Sequence, residues 1–324
     1  MNTDDYINLF DELDDNEQTD NFINNDQRPK RFPEKHFKVV RAQNAEFIGA
    51  QDDSRKNFSF TYQAARFEEW WLLDSLGDFY EHQWITDVLR RVKGGKEASV
   101  YQCRSGTAIK DPLAAVKVYR PRSLRNLRND GMYRQGRLDL DNEGRKINDE
   151  GQFHAMQKKT EYGRELLHQS WIAYEFTSLQ ELFEAGADVP EPYVMGHNAI
   201  LMKFIGDEET SAPALSEMGL DKSEAKSLFD RVLQNIDILL SHERIHGDLS
   251  AYNILYWGGD ITLIDFPQVV SPRANKNAFT IFSRDVKRVC EYFARQGIKH
   301  DARKLTEELW NSRGYPSSGS PEVQ

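Results

Sequence analysis

The run His246-Gly247-Asp248-Leu249-Ser250-Ala251-Tyr252-Asn253 constrains the fold more than any other part of the chain. It separates a helical pattern from a hairpin pattern, so a helix end, a polar loop and two short strands must meet at one place. The helix is signalled by Asp221 followed three residues on by Glu224, a capping box. It continues through Phe229, Val232, Leu233, Ile236 and Leu240, all on one side, to His242. The hairpin is Ile254 to Trp257, the tight turn Gly258-Gly259-Asp260, and Ile261 to Phe266. It folds Asp265, twelve residues beyond Asn253, back beside that amide. Asp248, Asn253 and Asp265 are thereby expected on one edge.

Those three side chains have the types that phosphoryl transfer from ATP requires: a base near the acceptor hydroxyl and two oxygen ligands for the metal that neutralises the phosphates. Asp-x-x-x-x-Asn alone is common in loops; the strand-ending Asp265 makes the set specific. Upstream, Gly94-Gly95-Lys96-Glu97-Ala98-Ser99-Val100-Tyr101 is a turn whose backbone amides can approach phosphate without Cβ obstruction. It is not a Walker loop, because Glu97 stands where Ser or Thr must follow the lysine. Lys117 lies in the alternating segment Ala114 to Tyr119, which predicts a half-buried strand. A lysine facing a core there is either snorkelling or paired, and if paired to phosphate it should also be held by a carboxylate from the following helix. Glu175, on the helix that Leu167, Trp171, Tyr174, Leu182 and Phe183 define and Gly186 ends, is the choice over Glu165 and Glu181. His197, His242 and His300 are isolated and are read as ordinary surface or core residues.

Charge and composition bound the remainder. The first 27 residues hold nine acids and no Lys or Arg, so they supply −9 of the formal −10 and leave 43 acids against 42 bases in the body. That opening predicts a disordered acidic extension rather than a secretory signal. Cys103 and Cys290 match no paired metal spacing, and no apolar run approaches the roughly 20 residues of a membrane helix. A reducing, cytoplasmic setting away from membranes is the expectation. The predicted division is 1–57, an acidic then basic extension; 58–87, a helical flank with Phe67, Trp70, Trp71 and Leu76; 88–206, a sheet lobe; 207–313, a helical lobe; and 314–324, a tail. Tyr119 to Gly163 lacks periodicity and is expected to be a long, mobile insertion. Between Lys117 and Arg137 it carries seven Lys/Arg against Asp130 alone, with Arg122, Arg125 and Arg128 three residues apart. Such a face suits RNA phosphates, an acidic partner, or the chain's own acidic opening.

Four ordered motifs carry a resemblance: Gly95-Lys96-Glu97-Ala98-Ser99-Val100-Tyr101; Ala115-Val116-Lys117-Val118-Tyr119; Ile245 to Leu255 around the His-Gly-Asp run; and Leu263-Ile264-Asp265-Phe266-Pro267-Gln268. From about Val88 to Phe293, some two thirds of its length, the chain resembles the RIO kinases, atypical relatives of protein kinases, and most of all the first RIO subfamily with its bacterial-type members. The resemblance implies an α+β, two-lobed protein-kinase-like fold, with a small antiparallel sheet lobe carrying one helix, a mainly helical second lobe, and no full activation segment. It implies ATP with Mg²⁺, or Mn²⁺ in its place. The nucleotide would be held by Gly94, Gly95, Lys96, Glu97 and Ser99, by Lys117 with Glu175, and by the backbones of Lys203 and Ile205 at the hinge. Asp248 would be the base, Asn253 and Asp265 would hold the metal, and Asp265 could itself receive the phosphoryl group as an acyl phosphate. The implied activity is Ser/Thr kinase, on itself at least, or an ATPase switch on ribosomal RNA or a ribonucleoprotein. Aminoglycoside- and choline-type small-molecule kinases share the His-Gly-Asp and Asn spacing and are the alternative. Departures are Gly94 where a Ser or Thr is frequent, Pro267 where ordinary kinases have Gly, Gly247 where they have Arg, and only 20 positions from Asp265 to Asp285.

Overall fold

The computed structural model describes residues 58–95, 97–120, 130–141 and 143–315. The expectations for 1–57, Lys96, Arg122, Arg125, Arg128 and 316–324 lie outside the described residues. No described helix is long and apolar enough to cross a membrane.

The first lobe is built on five antiparallel strands: β1 (Ile85–Lys93), β2 (Ala98–Ser105), β3 (Leu113–Tyr119), β4 (Pro192–Met195) and β5 (Ala199–Lys203), in the order β1-β2-β3-β5-β4. One face is covered by the flanking helix α1 (Arg66–Glu81), whose Trp71, Leu72, Leu76 and Phe79 pack on Val88, Tyr101, Cys103, Val116 and Val118. Tyr101 fastens this contact by donating its phenol to Glu68 at 2.7 Å. The first strand starts at Ile85, three residues before the boundary expected at 88. β3, expected to be half-buried, is buried along its whole length. Its second face carries Leu113 and Ala115 against Phe204, and Tyr119 against Trp171 and Ile200, so neither face meets water. Alternation in a strand covered twice sorts one interior from another, not interior from solvent.

Between β3 and β4 the chain forms α2 (Asp130–Arg134), α3 (Glu150–Lys158) and α4 (Glu161–Glu184). The region expected to be irregular thus contains helices, held by local caps and distant bonds instead of an apolar stripe. Asp149 caps α3 through the Gln152 amide at 2.7 Å, and Thr160 caps α4 through that of Gly163 at 3.0 Å. A Cβ on Gly163 would lie 1.9 Å from the Ala155 oxygen, so the two helices meet only because that residue is glycine. Gly186, at φ 80°, follows the end of α4 as expected. Phe183, assigned to the buried side, is 39% exposed.

The second lobe joins α5 (Lys222–Ser241), the hairpin β6 (Ile254–Trp257) and β7 (Asp260–Leu263), α6 (Ala278–Arg295) and α7 (Ala302–Ser312). Its core interleaves Phe229, Val232, Ile236 and Leu240 with Ile281, Phe282, Val286, Phe293 and Trp310. Asp221 caps α5 by accepting from the Ser223 and Glu224 amides at 2.8 and 2.9 Å. Glu224 does not close the box; its carboxylate accepts the Tyr256 phenol, tying α5 to the hairpin. The insertion also straps the lobes together. Arg137 donates to the carbonyls of Pro267 and Val269 at 2.8 and 3.1 Å, Asn275 to that of Met132 at 2.7 Å, and Arg284 to the Tyr133 phenol at 2.8 Å. The architecture is a two-lobed, kinase-like α+β fold, with its crevice between the sheet and the loop that enters β6.

Candidate active site

Lys117 is the centre of the crevice. The register Lys117↔Ile200 puts it on the second face of β3, toward α4, and its Nζ lies 2.7 Å from Glu175 Oε1 and 2.7 Å from Asp265 Oδ1. Tyr119, two residues along the same face, donates to Glu175 Oε2 at 2.8 Å, so both oxygens of that buried carboxylate are engaged. Burial would push the lysine's pKa down, but the carboxylates of Asp265 and Glu175 outweigh it and hold the ammonium above its usual range. Enclosure likewise pushes Asp265 up, while the charge of Lys117 prevails and holds it below the usual carboxylate range.

Asp265 follows β7 with φ at 72°, a left-handed conformation that Asp tolerates better than most residues. Its side chain is 44% exposed, toward the crevice. The hairpin explains its position: Ile254 pairs with Leu263, and the Ile264 amide donates to the Asn253 carbonyl at 3.0 Å. His246 fixes the other side. Burial disfavours the charged imidazole and pushes its pKa down, against the pull of Asp265 and Asp248. Its Nε2 donates to the Ile264 carbonyl at 3.1 Å, its Nδ1 accepts the Asp248 amide at 3.3 Å, and the ring packs on Phe266 with centroids 4.7 Å apart. Gly247 has φ 86°, and a Cβ there would lie 2.2 Å from the Gln268 oxygen. Glycine is thus required where ordinary kinases carry Arg.

Asp248 and Asn253 face each other across the loop. The Asn253 amide nitrogen donates to the Asp248 carbonyl at 2.9 Å and to Asp248 Oδ2 at 3.2 Å, and Asp248 Oδ1 accepts Arg288 Nη1 at 2.6 Å. With its nitrogen so engaged, Asn253 presents its amide oxygen as the ligand atom. That oxygen and the Asp265 carboxylate are hard donors of the kind Mg²⁺ or Mn²⁺ takes, and as a pair they fit an ion whose remaining ligands are phosphates and water. Among the described residues no group of three or more His, Cys, Asp or Glu could hold a metal by itself.

Gly94 and Gly95 follow β1 on the way to β2, and a Cβ on Gly95 would meet the Ala98 oxygen at 2.9 Å. Glu97 contributes its carbonyl to the Arg120 amide at 2.9 Å. Ser99 is a correction. It pairs with Val118, and its buried side chain shares with Tyr101 and Cys103 the face of β2 that α1 covers, so its hydroxyl is turned away from the crevice. At the hinge, half of the backbone groups are committed within the fold. The Lys203 amide is spent on the Glu191 carbonyl at 2.8 Å and the Ile205 carbonyl on the Ala212 amide at 2.9 Å. An adenine contact there would fall to the Lys203 carbonyl and the Ile205 amide.

Two residues of α6 went unassigned in the sequence. Asp285 accepts the Gly247 amide at 2.8 Å, and burial pushes its carboxyl up to about 7 although Arg284 and the amides of Gly247 and Leu249 pull the other way. Arg288, one turn later, holds Asp248 itself. The two stand i, i+3 on one face of the helix.

The model of the RIO domain matches residues 118–305. The RIO-type serine/threonine-protein kinase Rio1 of Haloferax volcanii is 28% identical over 230 residues, 70% of this chain and 70% of the relative. The RIO-type serine/threonine-protein kinase Rio2 of Methanocaldococcus jannaschii is 35% identical over 146 residues, 43% of this chain and 53% of the relative. The human serine/threonine-protein kinase RIO1 is 26% identical over 66% of this chain, which spans 34% of that longer protein. A solved structure, the Rio2 kinase-ADP/Mg²⁺-phosphoaspartate complex of Chaetomium thermophilum, is matched with a TM-score of 0.49 at 20% identity, over 86% of this chain and 81% of the other. With its family model matched across more than half of the sequence, the chain belongs to the RIO domain family.

Proposed function

We propose that the protein is an ATP- and Mg²⁺-dependent RIO-type serine/threonine kinase that phosphorylates itself, with ATP hydrolysis as its second outlet. The observation that carries this reading is Lys117 held at 2.7 Å by Glu175 and at 2.7 Å by Asp265, with Asp248 and Asn253 on the adjoining loop. Bound nucleotide would give Lys117 phosphate oxygens in exchange for Asp265, and Asn253 with Asp265 would hold the metal. The metal supplies charge neutralisation of the phosphates. Asp248 takes the acceptor's proton as the acceptor oxygen bonds to the γ-phosphorus, and the bond from that phosphorus to the β,γ-bridging oxygen breaks, its electron pair leaving on ADP. Arg122, Arg125 and Arg128 support a ribonucleoprotein as the partner.

Incubation with γ-labelled ATP, alone and with ribosomal particles, tests this by following label on protein and free phosphate separately. Asp248→Asn should lower transfer by about 10²–10⁴-fold while ATP binding survives, because the base acts on the acceptor. Autophosphorylation at the wild-type rate in that variant would remove Asp248 from the role. Label released by hydroxylamine would identify an acyl phosphate on Asp265; label that resists it and maps to Ser or Thr leaves Asp265 as a metal ligand only.

A further inference from the structure

We infer that Arg288 selects the phosphoryl acceptor, favouring a Ser or Thr hydroxyl flanked by carboxylates; this rests on the kinase reading above. Asp248 Oδ2 faces Asn253, on the metal side of the loop, which leaves Oδ1, the oxygen that Arg288 Nη1 approaches at 2.6 Å, as the one placed to take the acceptor's proton. A carboxylate oxygen has more than one lone pair, and Oδ1 can hold the guanidinium and a hydroxyl together. An acceptor oxygen hydrogen-bonded there lies within about 5 Å of the guanidinium.

The side chain of Arg288 is 40% exposed, at the mouth of the crevice. Of the five N–H donors in a guanidinium, the contact to Asp248 uses one. The neighbouring cations of α6 are committed elsewhere: Arg284 to the Gly247 carbonyl and the Tyr133 phenol, and Lys287 to Glu291 at 3.7 Å. Asp285, the acid of this turn, is buried beneath the loop. The rest of the Arg288 fork therefore faces the path of the acceptor, where a carboxylate one or two residues from the hydroxyl can be bound in charge-assisted geometry and a lysine or arginine is repelled. The chain itself contains such an acceptor, Thr19, between Glu17 and Asp20 in a 27-residue opening with nine acids and no Lys or Arg.

Steady-state kinetics with two peptides tests the inference, one carrying residues 13–25 and one with its Asp and Glu changed to Asn and Gln. The wild type should prefer the acidic peptide. In Arg288→Gln the KM for the acidic peptide should rise about tenfold more than that for the amidated one, with Arg288→Lys between them and the KM for ATP unmoved. Mapping of label on the intact chain should find Thr19. Equal losses for both peptides would overturn the inference and reduce Arg288 to a prop for Asp248, as would a wild type indifferent to the acids. A wild type that transfers label to neither peptide nor itself overturns the kinase reading, and the inference with it.

Discussion

Lys117 meets two carboxylates of different standing. Glu175 is buried and braced by the Tyr119 phenol, whereas Asp265 is 44% exposed and turned to the crevice. Incoming phosphate can displace the second and not the first. Glu175 should therefore act on nucleotide binding only through the lysine. In a double-mutant cycle, Lys117→Ala should weaken ATP binding and turnover together, by on the order of 10²-fold in turnover. Glu175→Ala should lose part of that, and the double variant should equal Lys117→Ala alone. Additive losses, read by calorimetric ATP titration, would give Glu175 a separate task. This pair was legible in the sequence because a lysine in a buried strand has few ways to be tolerated. Asp285 and Arg288 were not, since a helix 37 and 40 residues after Asp248 gives no sign of which turn will touch the loop.

At the scale of elements, the β6–β7 hairpin sets the distance between Asn253 and Asp265 through its two-residue turn. Gly258 and Gly259 have φ of 61° and 92°, as a type I′ turn requires, and a Cβ on either would meet nothing within 4 Å. Conformation alone should decide substitutions here. Gly258→Asn should be neutral or stabilising by up to about 1 kcal/mol, and Gly259→Val destabilising by about 1–2 kcal/mol, both measured by denaturant unfolding. A slipped register would move Asp265 to the wrong face, so Gly259→Val should also raise the Mg²⁺ concentration needed for activity. The hairpin and the α5 cap were readable because turn glycines and capping residues act locally. Ser99 was misassigned because Ser99, Tyr101 and Cys103 alternate with Val100 and Gln102 in a strand with two interiors, where polarity does not say which side holds the ligand. The helices between β3 and β4 were missed because they are only 5 and 9 residues long before α4, too short for periodicity to declare itself.

Across the whole molecule, charge is divided more sharply than structure. Residues 1–27 carry the net negative charge, and Lys117 to Arg137 hold seven Lys/Arg against one acid. If that run binds RNA phosphates, neutralising Arg122, Arg125 and Arg128 should weaken association with ribosomal particles and flatten its dependence on salt by up to about three counterions. Identical salt titrations for variant and wild type would assign the run to solvent. The two-lobed plan was evident from the order of strand and helix patterns; the strap between the lobes was not, because its bonds join residues 130 to 151 positions apart. Those separations bear on how the chain is made. On the ribosome, the insertion emerges long before Pro267, Asn275 and Arg284 exist to receive it, so the sheet lobe must wait with that segment undocked while roughly 130 further residues are added, several seconds at typical elongation rates. Closure of the crevice is then among the last events of folding, and an incomplete nascent chain has no assembled site in which to spend ATP.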